Sequence, residues 1–172
     1  MKLFGKWQKE KEEPVHQVPT FVDDDSPKSD VSLGKNRRIL VVDDDLIVLK
    51  AFQMKLGAHG FEVLTATDGA SAVGIAREVQ PDLIVLDINF PPEVGSSGMQ
   101  WDGFSTMQWM HRFSELGDIP VIIITSGDPE QYRQKALSAG AVAFFQKPLN
   151  NQEFLLTIRR TLGQPEAKAK TA

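Results

Sequence analysis

The sequence predicts a doubly wound α/β fold: a parallel five-stranded sheet with helices packed on both of its faces. Two observations predict it. Continuous runs of β-branched and apolar residues alternate with segments whose apolar residues recur at helical spacing, the pattern of strands buried on both sides and the helices that cover them. Five such strand-plus-helix units follow one another in about 125 residues, the usual size of such a sheet.

Taken in order, Ile39 to Val42 is the first strand, ended by acidic residues, and Leu46 to Leu56 is the first helix, closing at Gly57 and Gly60. Phe61 to Ala66 is the second strand, and Asp68 caps a helix reaching Val79, where Pro81 stops it. Leu83 to Leu86 is the third strand, Asp102 to Leu116 a helix carrying Phe104, Met107 and Met110 or His111 on its faces, and Pro120 to Ile124 the fourth strand. Asp128 to Ala139 is a helix with Gly140 at its end. Val142 to Phe145 is the fifth strand, and Asn150 caps a last helix bearing Phe154, Leu155, Ile158 and Leu162. The arrangement fits a flavodoxin-like sheet of strand order 2-1-3-4-5. Binding then belongs at the carboxyl ends of the strands, near the switch point between the first and third.

A chain of 172 residues holds one such domain, over residues 37–162, with flanks. Residues 1–36 carry the charge run Lys9 to Glu13, the acids Asp23, Asp24 and Asp25, and helix-breaking Pro14, Pro19 and Pro27, so they read as a disordered tail. Leu3, Phe4 and Trp7 share a helical face beside Lys2 and Lys6, but three apolar residues around Gly5 are few for a membrane-binding helix. Residues 163–172 read as a short second tail. With no cysteine there are no disulfides, thiolate metal sites or thiol nucleophile, which suits a reducing compartment. The longest apolar runs fall far below the roughly 18 residues of a membrane span, and the N-terminus lacks a secretory signal pattern, so a cytoplasmic location is expected. Residues 37–162 hold 11 basic against 15 acidic side chains, the wrong balance for a nucleic-acid binder.

The polar residues leaving the strands converge on one rim. The first strand runs into Asp43, Asp44 and Asp45, the third into Asp87, the fourth into Thr125 and Ser126, and the fifth into Lys147. Adjacent first and third strands bring Asp43 or Asp44 close to Asp87. Such clustered carboxylates repel unless a cation joins them, and an all-oxygen set without Cys or a nearby His favours a hard ion such as Mg2+. A metal, a Lys and a hydroxyl together suit a phosphoryl group, and a central carboxylate can itself be the nucleophile, giving an acyl phosphate. Asp87 is the central candidate. Asp45, Asp68, Asp128 and Asn150 read as helix caps instead.

These residues resemble the receiver domain of two-component response regulators over about residues 37–162. The resemblance rests on Val41-Val42-Asp43-Asp44-Asp45, on Pro81 to Asp87 with Pro91 four positions on, on Val121 to Gly127, and on Phe145-Gln146-Lys147-Pro148. It implies that Asp87 accepts a phosphoryl group from the phosphohistidine of a sensor histidine kinase or histidine phosphotransfer protein. It also implies that Asp43, Asp44 and Asp87, with the Asn89 backbone carbonyl, hold Mg2+. Thr125 and Lys147 would meet phosphoryl oxygens, the Lys147–Pro148 bond would be cis, and Phe144 would be an aromatic switch residue, one of the Phe144–Phe145 pair lying in the core. The implied protein is a signalling switch rather than an enzyme, its output a changed binding face around the fourth strand, fourth helix and fifth strand.

Two departures stand out. Receivers place a glycine eight residues after the phosphoacceptor, where Gly95 fits the count. The helix-opening Asp102-Gly103-Phe104 comes eight residues later, so an insertion is expected within residues 92–101, either a tolerated surface loop or a partner-specific lid. Gly127, two residues after Thr125, offers no side chain to position a hydrolytic water, which predicts slow loss of the phosphoryl group. The rival readings are a Mg2+-dependent phosphohydrolase with an aspartyl nucleophile, which wants a second acid where Asn89 stands, and an unphosphorylated scaffold. The flanks are too short for an attached output domain, so the signal is expected to leave through a protein partner.

Overall fold

The computed structural model describes residues 36–89, 93–94, 100–101 and 103–163. The expected tails, 1–36 and 163–172, lie almost wholly outside the described residues. Five parallel strands, β1 (Arg38–Val42), β2 (Glu62–Ala66), β3 (Leu83–Asp87), β6 (Val121–Thr125) and β7 (Ala143–Gln146), form one sheet in the order β2-β1-β3-β6-β7. This is the predicted 2-1-3-4-5 sequence of main strands. In β3 and β6 every residue is buried, as continuous apolar runs require when helices cover both faces.

Side chains alternate across the sheet, so each strand feeds two cores. Leu40, Val42, Ile84, Leu86 and Ile123 pack with α2 (Gly69–Val79), α3 (Gly103–Met110) and Ala136 of α4 (Pro129–Ser138). Ile39, Val41, Leu83, Val85, Ile122 and Ile124 pack with α1 (Leu46–Ala58) and α5 (Asn151–Thr161) on the other face. Phe144 joins the first core and Phe145 the second, 5% and 9% exposed. One of the pair is expected in the core, and both are there: a sheet covered on both faces buries both phases of the alternation.

Four helices start where an acid or amide caps them. Asp45 accepts the Ile47 N–H at 2.7 Å, Asp68 the Ser71 N–H at 2.8 Å, Asp128 the Glu130 N–H at 3.0 Å and Asn150 the Glu153 N–H at 3.1 Å. Each such cap is worth about 1 kcal/mol. The first helix runs through Gly57 and closes at Gly60, whose φ of 84° favours glycine. The third helix is shorter than predicted. It ends at Met110, after which Arg112, Phe113 and Leu116 N–H groups bond three residues back. Phe113 and Leu116 still reach the core, so apolar spacing persists where the backbone has tightened into turns.

The expected insertion contains a short antiparallel ribbon, β4 (Glu93–Val94) paired with β5 (Gln100–Trp101), residues 95–99 lying outside the described set. A ribbon carries the chain out and back, so α3 begins close to the end of β3. Gly103 makes this junction possible. A Cβ there would fall 2.4 Å from the Ile88 Cα and 2.6 Å from the Asp87 carbonyl oxygen, so only glycine lets α3 press against the backbone behind Asp87. Gly103 thus occupies the close-approach position; Gly95, which fits the simple count, lies outside the described residues. No helix among the described residues is long and apolar enough to cross a membrane.

Candidate functional site

The sheet register fixes the site. Asp43 follows the last residue of β1, Asp87 ends β3, Thr125 ends β6, and Lys147 follows β7; pairing of Val42 with Leu86 and of Asp87 with Ile124 puts these ends level. The Lys147 N–H bonds the Thr125 carbonyl at 2.7 Å, holding the β7 exit beside the β6 exit. The Lys147–Pro148 peptide is cis, as the resemblance implied.

Asp43 and Asp87 are 1% and 4% exposed. Asp43 Oδ1 accepts the Asp45 N–H at 3.0 Å and Asp87 Oδ1 the Asn89 N–H at 2.8 Å. The other oxygen of each accepts from the same ammonium: Lys147 Nζ is 2.6 Å from Asp43 Oδ2 and 2.6 Å from Asp87 Oδ2. Burial pushes the Asp43 carboxyl up to about 6, a rise that Lys147 opposes and Asp87 reinforces. Burial pulls the Lys147 pKa down, but the Asp87 and Asp43 charges outweigh it and the net shift is upward. One cation therefore serves two buried acids.

Asp44 is exposed beside them. Carboxylate oxygens of Asp43, Asp44 and Asp87 all lie within 4.8 Å of one another, a hard, all-oxygen donor set that fits a Mg2+-type ion. Thr125 is fully buried, its Oγ1 accepting the Gly127 N–H at 3.0 Å. Asn89 is exposed, with Nδ2 3.3 Å from Ser126 Oγ. Phe144 lies inside, under the Arg133 guanidinium at 5.3 Å from its ring centroid. The structure thus gathers Asp43, Asp44, Asp87 and Lys147 at one edge, with Thr125 and Asn89 bordering it and Phe144 beneath.

Residues 39–159 match the family model for the response regulator receiver domain. The chain belongs to this family. The polar-differentiation response regulator DivK of Brucella anthropi is 32% identical over 131 residues, spanning 74% of this chain and 97% of that one. Among solved structures, the chemotaxis protein CheY4 of Vibrio cholerae aligns with a TM-score of 0.64 at 26% identity, covering 73% of this chain and 98% of that one. A response regulator from Desulfuromonas acetoxidans aligns at 0.63 and 27% identity, covering 74% and 97%. Receiver domains are signalling switches rather than enzymes of the ordinary kind, they take phosphoryl groups from histidine kinases, and they generally bind Mg2+ at an acidic pocket.

One residue of this receiver's rim escaped the sequence reading. Tyr132, the only tyrosine of the chain, comes back from the first turn of α4 onto Gly127, and its ring stacks with Phe104 at 6.3 Å between centroids. The signal available was a glycine two residues after Thr125 followed by an aromatic five residues later, a small residue making room for a large one.

Proposed function

We propose that this receiver is a phosphorylation-controlled signalling switch whose phosphoacceptor is Asp87. The observation that carries the reading is the Lys147 ammonium, bonded at once to the central carboxylate and to its buried neighbour Asp43 in a chain of this family. The donor is the phosphohistidine of a sensor kinase or histidine phosphotransfer protein. An Asp87 oxygen attacks phosphorus, the new P–O bond forms as the P–N bond breaks, and the imidazole leaves with the electron pair. Mg2+, held by Asp43, Asp44, Asp87 and the Asn89 backbone carbonyl, would neutralise charge on the phosphoryl oxygens.

Lys147 is placed to exchange its bond to Asp87 for one to a phosphoryl oxygen. The Thr125 hydroxyl, accepting the Gly127 N–H at 3.0 Å, is the group that turns toward another. Phe144 pairs in register with Ile123, two residues before Thr125, so movement at the β6 end is transmitted to the β6–α4–β7 face that a downstream protein would read.

The test is incubation with Mg2+ and acetyl phosphate followed by intact mass measurement. An adduct of about 80 Da, the mass of a phosphoryl group, is expected on the wild-type chain and not on Asp87→Ala. Turnover of the donor without a persistent adduct, or an adduct that survives Asp87→Ala, would overturn the assignment.

A further inference from the structure

We infer that Tyr132 is a positioning residue that sets the lifetime of the acyl phosphate by closing the water approach to Asp87, an inference resting on the phosphoacceptor reading above. The observation is a substitution in space. Gly127 has no side chain, yet its Cβ direction is already filled: a Cβ there would lie 2.7 Å from Tyr132 Cε2, 3.0 Å from Cδ2 and 3.1 Å from Asn89 Nδ2. The edge of an aromatic ring from α4 and an amide from the loop after β3 therefore meet over residue 127. The Asn89 amide is tied to Ser126 Oγ, and the Asn89 backbone N–H bonds Asp87 Oδ1, so the Asn89 end of this wall belongs to the residue that holds the nucleophile's carboxylate.

The ring is held from behind. Phe104 stacks on it with 28° between planes, Phe104 follows the Gly103 that abuts the Asp87 backbone, and Lys135 Nζ sits 4.0 Å from the Phe104 ring centroid. Tyr132 is thus fixed at the border of the site by α3, not free on the surface of α4.

Hydrolysis of the acyl phosphate needs a water that attacks phosphorus. A new P–O bond forms, the bond from phosphorus to the Asp87 oxygen breaks, the carboxylate leaves with the electron pair, and the water gives up a proton to solvent. An apolar ring edge where a polar side chain would otherwise stand neither accepts that proton nor admits the water. Gly127 alone leaves out a helper; Tyr132 fills the place it leaves.

The experiment phosphorylates the full chain with acetyl phosphate and Mg2+, removes the donor, and follows decay of the adduct by mass. Tyr132→Ala is expected to shorten the lifetime by at least about fivefold, and Tyr132→Phe, which keeps the ring, to stay within about twofold of wild type. Tyr132→Val, which keeps an apolar side chain but ends one bond short of the Cδ position that fills the space over Gly127, is expected to behave like the alanine variant and covers a folding defect in the latter. Lifetimes unchanged in both truncations, or as short in Tyr132→Phe as in Tyr132→Ala, would overturn the inference alone. Absence of any adduct on the wild-type chain would overturn the phosphoacceptor reading, and this inference with it.

Discussion

Lys147 Nζ donates to Asp87 Oδ2 at 2.6 Å across 60 residues of sequence, and the same ammonium reaches Asp43. Removing it leaves two buried carboxylates facing each other without a counter-charge. Lys147→Met, which keeps the stem and deletes the charge, is expected to lower stability by about 3 kcal/mol at neutral pH without divalent cations, since breaking a buried ion pair from one side is costly. Urea unfolding in the presence of a chelator measures this. Added Mg2+ should restore part of the loss, because it supplies positive charge to the same acids. A variant as stable as wild type would mean that the two acids do not depend on Lys147.

How far the sequence reached can be read from particular residues. Asp45, Asp68, Asp128 and Asn150 were legible as caps because each stands immediately before a helical apolar pattern, and a cap is a local device. Asp87, Thr125 and Lys147 were legible as neighbours because strand order and parallel pairing place strand ends together whatever the loops do. The bonds themselves were not legible: nothing in the sequence distances said that one ammonium would bridge Asp43 and Asp87. The early end of α3 was hidden because Phe113 and Leu116 keep helical spacing through the turns, and β4 and β5 are two residues each, too short to show alternation. Tyr132 was missed because its place against Gly127 depends on the empty Cβ direction there, a fact of space rather than of pattern.

A pH-dependent contribution lies at the opposite edge of the sheet. Asp82 accepts from Arg37 Nη1 at 2.6 Å and from the Arg38 N–H at 2.8 Å. Burial alone would raise its carboxyl, but the Arg38 N–H and the Arg37 guanidinium outweigh it and hold the pKa below the ordinary 3.8. A depressed folded value means that the contribution is complete above the unfolded value and fades as pH falls through the folded one. Asp82→Asn is therefore expected to cost about 1 kcal/mol between pH 7 and pH 5 and progressively less below about pH 4. A difference in urea midpoint that stays constant down to pH 3 would count against the ionised pairing.

Gly103 offers the sharpest test of how the fold presents Asp87. Its missing Cβ would strike backbone, the Ile88 Cα at 2.4 Å and the Asp87 carbonyl oxygen at 2.6 Å, and backbone cannot swing aside as a side-chain tip can. Gly103→Ala is expected to destabilise by about 2–3 kcal/mol, the cost of overpacking against a rigid neighbour, and to slow adduct formation by displacing Asp87 relative to Lys147. Gly74 in α2, where a Cβ would meet nothing within 4 Å, is the matched control. Gly74→Ala should stabilise by about 0.5–1 kcal/mol, by helix propensity alone, and leave adduct formation unchanged. Thermal unfolding and the phosphorylation rate of the two variants, measured side by side, check the pair. Equal effects at both positions would mean that α3 does not press on the backbone behind Asp87, and that the inserted ribbon leaves it free to shift.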